Sequence, residues 1–498
     1  MFRQHPEQKT RKEEIDKLLT ESGWSVIDFT NSINKDGNFA VREYPTASGP
    51  VDYALAFEGD IIGLVEAKKS NEPVYSVLTQ AQRYAKTIEG TKNSFDDYKV
   101  PFIYSTNGND IFFQDLRAED SRSRKVLTLH TPKALVEFLH NDLSKPKIWA
   151  ADNPIEDKYL RYYQKDAIKA VETNLMRNKQ KMLLAMATGT GKTVTIIGLL
   201  SRMLQSQKFK RILFLVDRIE LANQALGALA SYEVSPAQKF DRVFEVYCHR
   251  IPEGKEWKSL NINTKKIPEH KISNPQLNDA HVFVSTIQGM YRYLTGQKEP
   301  DKEIEADEYG EDVDKIIYNP KIPIQAFDLI ISDECHRSIY NKWRLVLNYF
   351  DAVQVGLTAT PSVHTYAFFD SNLPYSYSKE QAIQDGYLVD YDVVHIDTKI
   401  TMEGLKLEKG RQVKIKNVGT KEEQYAFLDD EINFNPKKIE RAITAIDRNR
   451  KIVNEFAHHF KGNQKTLVFA VDDNHSDQLV KLFREKFSDK GDRFVDKI

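Results

Sequence analysis

The sequence predicts an α/β chain in which a small mixed unit precedes a parallel-sheet unit, with the start of a second parallel unit at the end. Three observations carry this. From Tyr159 onward, short apolar runs alternate with helical patterns, as in a parallel sheet covered on both faces. One such run, 182–185, enters a Gly-rich turn and then an apolar helix at 194–204. Upstream, residues 1–145 set strand-like runs between helical patterns. A length of 498 residues suits about three domains. The changes of texture put them at 1–150, 151–375 and 376–498.

Composition narrows the class. Apolar residues make up 41% and charged residues 29%, which excludes a disordered, collagen-like or disulfide-scaffold chain. The net charge is 71 − 72 = −1, so any basic surface must be local. No run reaches the roughly 18 apolar residues of a membrane span, so no membrane is expected. The polar start, residues 1–14, does not read as a secretory signal. Two distant cysteines, Cys248 and Cys335, suit a reducing setting, and a cytoplasmic location is expected. Cys335 reads as a small buried residue.

The first unit opens with a helical pattern at 11–22, with Ile15, Leu18 and Leu19 on one face. Strand-like runs follow at 51–57, 61–68 and 100–105, then a helix at 131–142 carrying Leu135, Phe138 and Leu139 on one side. Glu58-Gly59-Asp60 suits a three-residue hairpin loop. If Phe57 pairs with Ile61, paired numbers sum to 118 and Asp52 lies opposite Glu66. Cross-strand Cβ atoms are about 5 Å apart, so two carboxylates would repel unless a cation joined them. Mg²⁺ suits carboxylate and water oxygens. Lys68, two residues beyond Glu66, shares its face and can steady a hydroxide or a scissile phosphate. That is the chemistry of metal-dependent phosphodiester cleavage. The plain alternative is a surface ion pair of Glu66 with Lys68. Gln80 and Tyr84 stand one helical turn apart downstream.

Residues 143–158, with Pro146, Asn153 and Pro154, read as a linker. Beyond it, the run 182–185 leads into Met186-Ala187-Thr188-Gly189-Thr190-Gly191-Lys192-Thr193. Strand, Gly-rich turn and helix form the setting of a phosphate loop. Gly189 and Gly191 let backbone N–H groups curl around phosphate, helped by the helix N-terminus. Thr188 and Thr190 belong to the same cradle, Lys192 can reach the β and γ phosphates of ATP, and Thr193 can ligate Mg²⁺. The apolar run 327–332 then delivers Asp333 and Glu334 at a strand end. Asp333 would hold Mg²⁺, Glu334 would orient or deprotonate water, and His336 would couple the site to its neighbours. Residues 298–314 carry nine acidic and two basic side chains and read as a solvated loop. Residues 466–471 read as a late strand, with a helix around 476–487.

The order of these motifs resembles a superfamily 2 helicase-type motor of the DEAD/H-box kind, built from RecA-like lobes. Met186 stands where the loop's first glycine is usual, as is common in that superfamily. The resemblance implies that Arg161-Tyr162-Tyr163-Gln164 is an adenine-reading motif, with Gln164 its reader. It implies that Arg218 in 216–221, Thr286 in 285–288, and Thr358 and Thr360 in 357–361 contact the DNA backbone. No arginine-rich motif of a second lobe follows Val471, so the second lobe is expected to be incomplete and this chain to bind ATP but hydrolyse it poorly.

The first unit is similar to PD-(D/E)xK nucleases of the RecB-like branch, with Asp52, then Glu66-Ala67-Lys68, then Gln80 and Tyr84 as the QxxxY helix. That resemblance implies an acidic residue on the first helix, Glu14, with Glu13 and Glu21 as alternatives. Together with Gly23-Trp24, 51–55 and 65–69, the whole chain resembles the restriction (R) subunit of type I restriction-modification enzymes. The implied activity is ATP-dependent translocation on double-stranded DNA and Mg²⁺-dependent cleavage, with methylase and specificity subunits as partners. A nuclease-helicase of another defence or repair system, without methylase partners, is the alternative.

Overall fold

The computed structural model describes residues 14–30, 36–68, 78–89, 91–92, 95–118, 121–249, 263–276, 279–297, 316–338, 341–396, 405–407, 409–410, 412–416, 423–427, 432–434, 446–462 and 464–497. The chain divides into two compact units, Met1–Val389 and Asp390–Ile498. Among the described residues the first unit holds two large sheets and a small two-stranded ladder, Glu233–Ser235 with Gln238–Lys239.

The N-terminal sheet has seven strands in sequence order: β1 (Ser25–Asp28), β2 (Asn38–Tyr44), β3 (Val51–Phe57), β4 (Asp60–Ala67), β5 (Phe102–Thr106), β6 (Ile111–Asp115) and β7 (Arg124–Val126). The pairs β1–β2 and β4–β5 are parallel and the rest antiparallel. Alternation along β3 and β4 sends side chains to two cores. Tyr53, Leu55 and Val65 join Ile15, Leu19, Trp24 and Leu135 on one face. There lie helices α1 (Asp16–Glu21) and α3 (Pro132–His140). Ala54 and Leu64 join Leu78, Ala81 and Tyr84 of α2 (Leu78–Thr87) on the other face. Arg42 and Tyr53 pin α1 by hydrogen bonds to Asp16 (2.9 and 2.8 Å). Thr131 caps α3 by accepting from the Ala134 N–H, with Pro132 in its first turn.

The second sheet is all parallel. Around it lie α4 (Lys145–Asp152), α5 (Tyr162–Met176), β8 (Lys181–Met186), α6 (Lys192–Gln205), β9 (Arg211–Val216), α7 (Ile219–Ser231), β10 (Glu245–Cys248), β11 (Thr264–Lys266), β12 (His281–Thr286), α8 (Ile287–Thr295), β13 (Leu329–Ser332), α9 (Asn341–Tyr349), β14 (Val353–Thr358), α10 (Val363–Phe368), β15 (Tyr375–Tyr377) and α11 (Lys379–Gln384). The strand order is β11-β10-β12-β9-β13-β14-β8-β15. Leu184, Phe214, Val284 and Ile331 face α5, α6 and α7. Leu183, Leu213, Phe283 and Ile330 face α8, α9 and α10. Both faces are covered, which is why these strands read as unbroken apolar runs.

The N-terminal ends of three of these strands grip the first sheet's domain. Arg211, opening β9, donates to Glu137 of α3 at 2.8 Å. Asp351, two residues before β14, takes two bonds from Arg124 of β7 (2.5 and 2.7 Å) and lies 2.8 Å from His130 Nε2. Ile324 enters the first domain's core.

Several details differ from the sequence reading. The hairpin turn has two residues, Glu58 and Gly59, both at positive φ (47° and 82°), and Phe57 pairs with Asp60. A bulge between Leu55 and Ala56 then restores the sum of 118 from Leu55–Gly63 onward. Residues Lys145–Asp152 of the expected linker form α4, with no buried residue. The boundary expected at 375/376 falls at 389/390, because β15 pairs with β8 and Ala382 enters the core. The division at 150 separates two sheets but not two compact units.

In the second unit, α12 (Ile446–His459) and α13 (Asp473–Lys486) pack through Val453, Leu479, Leu482 and Phe483. The strand expected at 466–471 does not form. The described strands of this unit pair only in two small ladders, so this run has no ladder beside it and Phe469 is 85% exposed. The acidic stretch 298–314 and Glu13 lie outside the described residues.

Candidate active sites

Every motif of the parallel sheet sits at the C-terminal end of its strand. The loop 187–191 follows β8, Asp217 and Arg218 follow β9, Thr286 ends β12, Asp333 and Glu334 follow β13, and Thr358 ends β14. Since β8 lies beside β14 and not beside β9, the strand order reverses there and leaves a crevice.

Gly189 and Gly191 take φ of 86° and 82°, which places both in the left-handed region that glycine favours. Gln164 does not point into open space. It is 3% exposed, its amide donates to the Thr190 and Gly191 carbonyls (3.0 and 3.3 Å), and it accepts from Arg161 N (2.9 Å). Tyr163 Oη adds a bond to the Thr190 carbonyl at 2.8 Å, and Thr190 Oγ1 bonds back to Ala187 (2.7 Å). The expected base reader therefore fastens the phosphate loop in this structure. Tyr163 stands inside the motif, but nothing in its spacing marks it as a partner of the loop.

Lys192 Nζ lies 3.1 Å from Glu334 Oε1. Asp333 is buried, and burial, then the charge of Glu334, raises its carboxyl above the usual range. Glu334 N donates to Asp333 Oδ1 (2.9 Å), and Glu334 itself sits at φ 46°. Two carboxylates beside one ammonium form an oxygen-rich, acid-leaning donor set that fits a divalent cation. His336 Nδ1 lies 3.0 Å from Thr358 Oγ1 and 3.4 Å from Glu334 Oε2. His336 thus links the residues after β13 to the end of β14. Thr188 is exposed and Thr193 half-buried at the start of α6.

The expected DNA contacts divide. Arg218 and Thr360 are exposed. Thr286 caps α8 by accepting from Gly289 N (3.0 Å). Thr358 is fully buried, and its hydroxyl accepts from Thr360 N at 3.1 Å, so it cannot touch DNA here. It is a link to His336. Cys335 is fully buried, and burial raises its thiol, as a packing residue requires.

In the first domain, Asp52 and Glu66 share the sheet face of Ala54 and Leu64, over which α2 lies. Asp52 Oδ2 accepts from Ala67 N at 2.8 Å, next to Glu66. Glu66 is 4% exposed, and Lys68 Nζ lies 3.9 Å from its Oε1. Gln80 Nε2 donates to Tyr84 Oη (2.9 Å) on the same side of the sheet. Glu14 is exposed. Its carboxylate lies against Gly108 and leaves no room for a Cβ there. Gly108 follows Thr106, the partner of Ala67, so Glu14 reaches the end of the sheet where Glu66 stands. Glu21 points elsewhere, toward Lys17 (3.7 Å). Two carboxylates with a lysine suit Mg²⁺, which keeps water in its remaining positions. Among the described residues no group of three or more His, Cys, Asp or Glu is arranged to hold a metal ion. Nor, among them, is any helix long and apolar enough to cross a membrane.

Comparison with known proteins decides the family. Residues 29–139 match the family described as "Type I restriction enzyme EcoKI endonuclease subunit second domain". Residues 157–363 match "Type III restriction enzyme, res subunit". The Type I restriction enzyme EcoKI endonuclease subunit of Escherichia coli K12 is 32% identical over 96% of this chain and 43% of its own length. The chain belongs to the endonuclease subunits of type I restriction enzymes. The EcoAI endonuclease subunit of Escherichia coli is 27% identical over 96% of this chain and 54% of that protein. This type I subunit chain thus spans about half the length of these relatives. A fragment of an HsdR subunit from Vibrio vulnificus YJ016 covers 98% of the chain at 22% identity, with a TM-score of 0.37.

Proposed function

We propose that this subunit is an ATP-dependent translocase on double-stranded DNA and a Mg²⁺-dependent endonuclease. It would cut unmethylated foreign DNA within a cytoplasmic complex that includes methylase and specificity subunits. The observation that carries the reading is the crevice at the C-terminal edge of the parallel sheet. There a left-handed Gly loop, Lys192 and the Asp333–Glu334 pair converge. Lys192 exchanges Glu334 for the β and γ phosphates of ATP, and Glu334, released, orients the attacking water. Thr193 and Asp333 would hold Mg²⁺ here, and Asp52 and Glu66 would hold it in the first domain. When bound, Mg²⁺ supplies Lewis acidity toward phosphate oxygens.

In the first domain, which we read as a PD-(D/E)xK nuclease, Lys68 faces the scissile phosphate and holds the nucleophile's charge. Gln80 and Tyr84 position DNA over the carboxylates, and Glu14 lends a further acidic group from the start of α1. Arg218, Thr286 and Thr360 lie along the edge where the DNA backbone would run. The test is DNA cleavage and ATP hydrolysis in the reconstituted complex. Lys192→Ala should lose ATP hydrolysis by a factor of about 10³ or more, whereas Glu66→Ala should lose only cleavage. Normal cleavage by Glu66→Ala sinks the nuclease assignment.

A further inference from the structure

A cleft of about 350 Å³ opens where the first domain meets the N-terminal edge of the parallel sheet. It lies among β6, β7, the end of α3, the start of α4 and the residues leading into β9. Its volume is that of a small-ligand site. It is at the opposite edge of the sheet from the phosphate loop.

Four carboxylates line it, and each is committed. Asp351 is held by Arg124 and His130. Asp115 takes two bonds from Arg117 (2.9 and 2.6 Å). Asp328 accepts from the backbone N–H groups of Lys210 and Arg211 (2.9 and 3.0 Å). Asp142 accepts from Ser144 Oγ and N (2.6 and 2.8 Å).

Of the cations at the cleft, Arg117, Arg124 and Arg211 are each paired with a carboxylate, but others are not. Among the described residues, Lys208 and Arg122 form no ion pair with a carboxylate, and Lys145 donates to a neutral amide oxygen, Gln207 Oε1 (2.7 Å). Lys147 adds a fourth positive charge close to Lys208. Burial first, then Lys147, lowers the Lys208 amine, while Asp115 and Asp328 act the other way. Gathering like charges at a partly dry surface is costly unless an anion joins them. An arginine fork with flanking ammonium groups fits phosphate oxygens.

We propose that this junction cleft is a phosphate-binding site, separate from the nucleotide site, with Arg122 and Lys208 as its main ligands. A bound phosphate would tie the first domain, through Arg122, to the parallel sheet, through Lys208. The phosphate belongs either to a DNA backbone or to a free polyphosphate. The inference rests on the charge and shape of the cleft and not on the reading of the phosphate loop.

The test uses the full chain carrying Lys192→Ala, so that the phosphate loop contributes little. Binding of a labelled DNA duplex and of inorganic tripolyphosphate is titrated in that background, with and without Arg122→Gln and Lys208→Gln. Arg122 is exposed, so its variant keeps the fold even if the Lys208 variant does not. The expected result is a several-fold loss of affinity in Arg122→Gln for at least one probe, with a shallower salt dependence if that probe is DNA. Loss for the duplex alone assigns a DNA backbone. Loss for tripolyphosphate assigns a free polyphosphate. Unchanged affinity of Arg122→Gln for both probes overturns the proposal. As a second readout, lysine acylation followed by mass spectrometry should show Lys208 protected by the probe that Arg122→Gln weakens, and equal modification with and without that probe contradicts the site.

Discussion

Gly191 answers to two constraints at once. Its φ is 82°, and a Cβ there would stand 2.6 Å from Gln164 Nε2. Gly191→Ala should therefore cost about 1–3 kcal/mol from backbone strain and break the amide clamp on the loop. Thermal unfolding should record the first effect and nucleotide titration the second, as a rise of at least tenfold in the dissociation constant. Gln164→Ala removes the same clamp without backbone strain. It should weaken ATP binding while leaving the melting temperature within a few degrees. Adenine and guanine nucleotides should lose affinity alike if Gln164 acts only through the loop, and adenine alone if it turns to the base. The residue types at this site were legible because phosphate binding restricts them so tightly. Their partners were not, since Gln164 and Tyr163 meet Thr190 only across 26 and 27 residues of chain. Thr358 shows the same limit, for a hydroxyl in a motif does not reveal whether it faces solvent or a histidine.

At the scale of elements, apolar runs located the central strands well. β8 extends the run 182–185 by one residue at each end, and β13 keeps the last four residues of the run 327–332. Edge strands such as β7 and β15 have three residues each and carry too little pattern to be seen. The β3–β4 hairpin gives a subtler lesson. The turn was one residue shorter than its composition suggested, and the bulge beyond it put Asp52 and Glu66 back on one face. The junction of the two sheets was invisible, because Asp351 lies more than 200 residues from both Arg124 and His130.

That junction carries a stability prediction. Asp351→Asn leaves the half-buried Arg124 guanidinium and the buried His130 without their anion and should cost about 3 kcal/mol. Arg124 and His130 hold the Asp351 carboxyl well below its ordinary range. A depressed carboxylate stabilises the fold above its unfolded pKa of about 4 and loses that contribution as pH falls through the folded value. The gap in unfolding free energy between wild type and Asp351→Asn should be full from pH 6 to 8 and shrink below about pH 4. A gap that grows on acidification would show that the ion pair is not its source.

Over the whole first unit, one sheet faces two ways. Its C-terminal edge bears the phosphate loop and the acidic pair, and its N-terminal edge grips the domain that carries Asp52 and Glu66. Strands β9, β13 and β14 run straight from one set of residues to the other, so the motor and nuclease readings belong to a single compact body. If DNA is the partner, binding should fall steeply with salt, since the chain's net charge of −1 leaves only local basic surface to hold it. An affinity that stays flat between low and physiological salt would count against a backbone-bound duplex.

The most direct measurement of the central claim is cleavage of unmethylated circular DNA by the complex with Mg²⁺, with and without ATP. Wild type, Glu66→Ala and Lys192→Ala would be compared, with ATP hydrolysis followed in the same samples. The account predicts that wild type cuts only with ATP, that both variants fail to cut, and that Glu66→Ala still hydrolyses ATP. ATP-independent cutting by Lys192→Ala, or unimpaired cutting by Glu66→Ala, would contradict it.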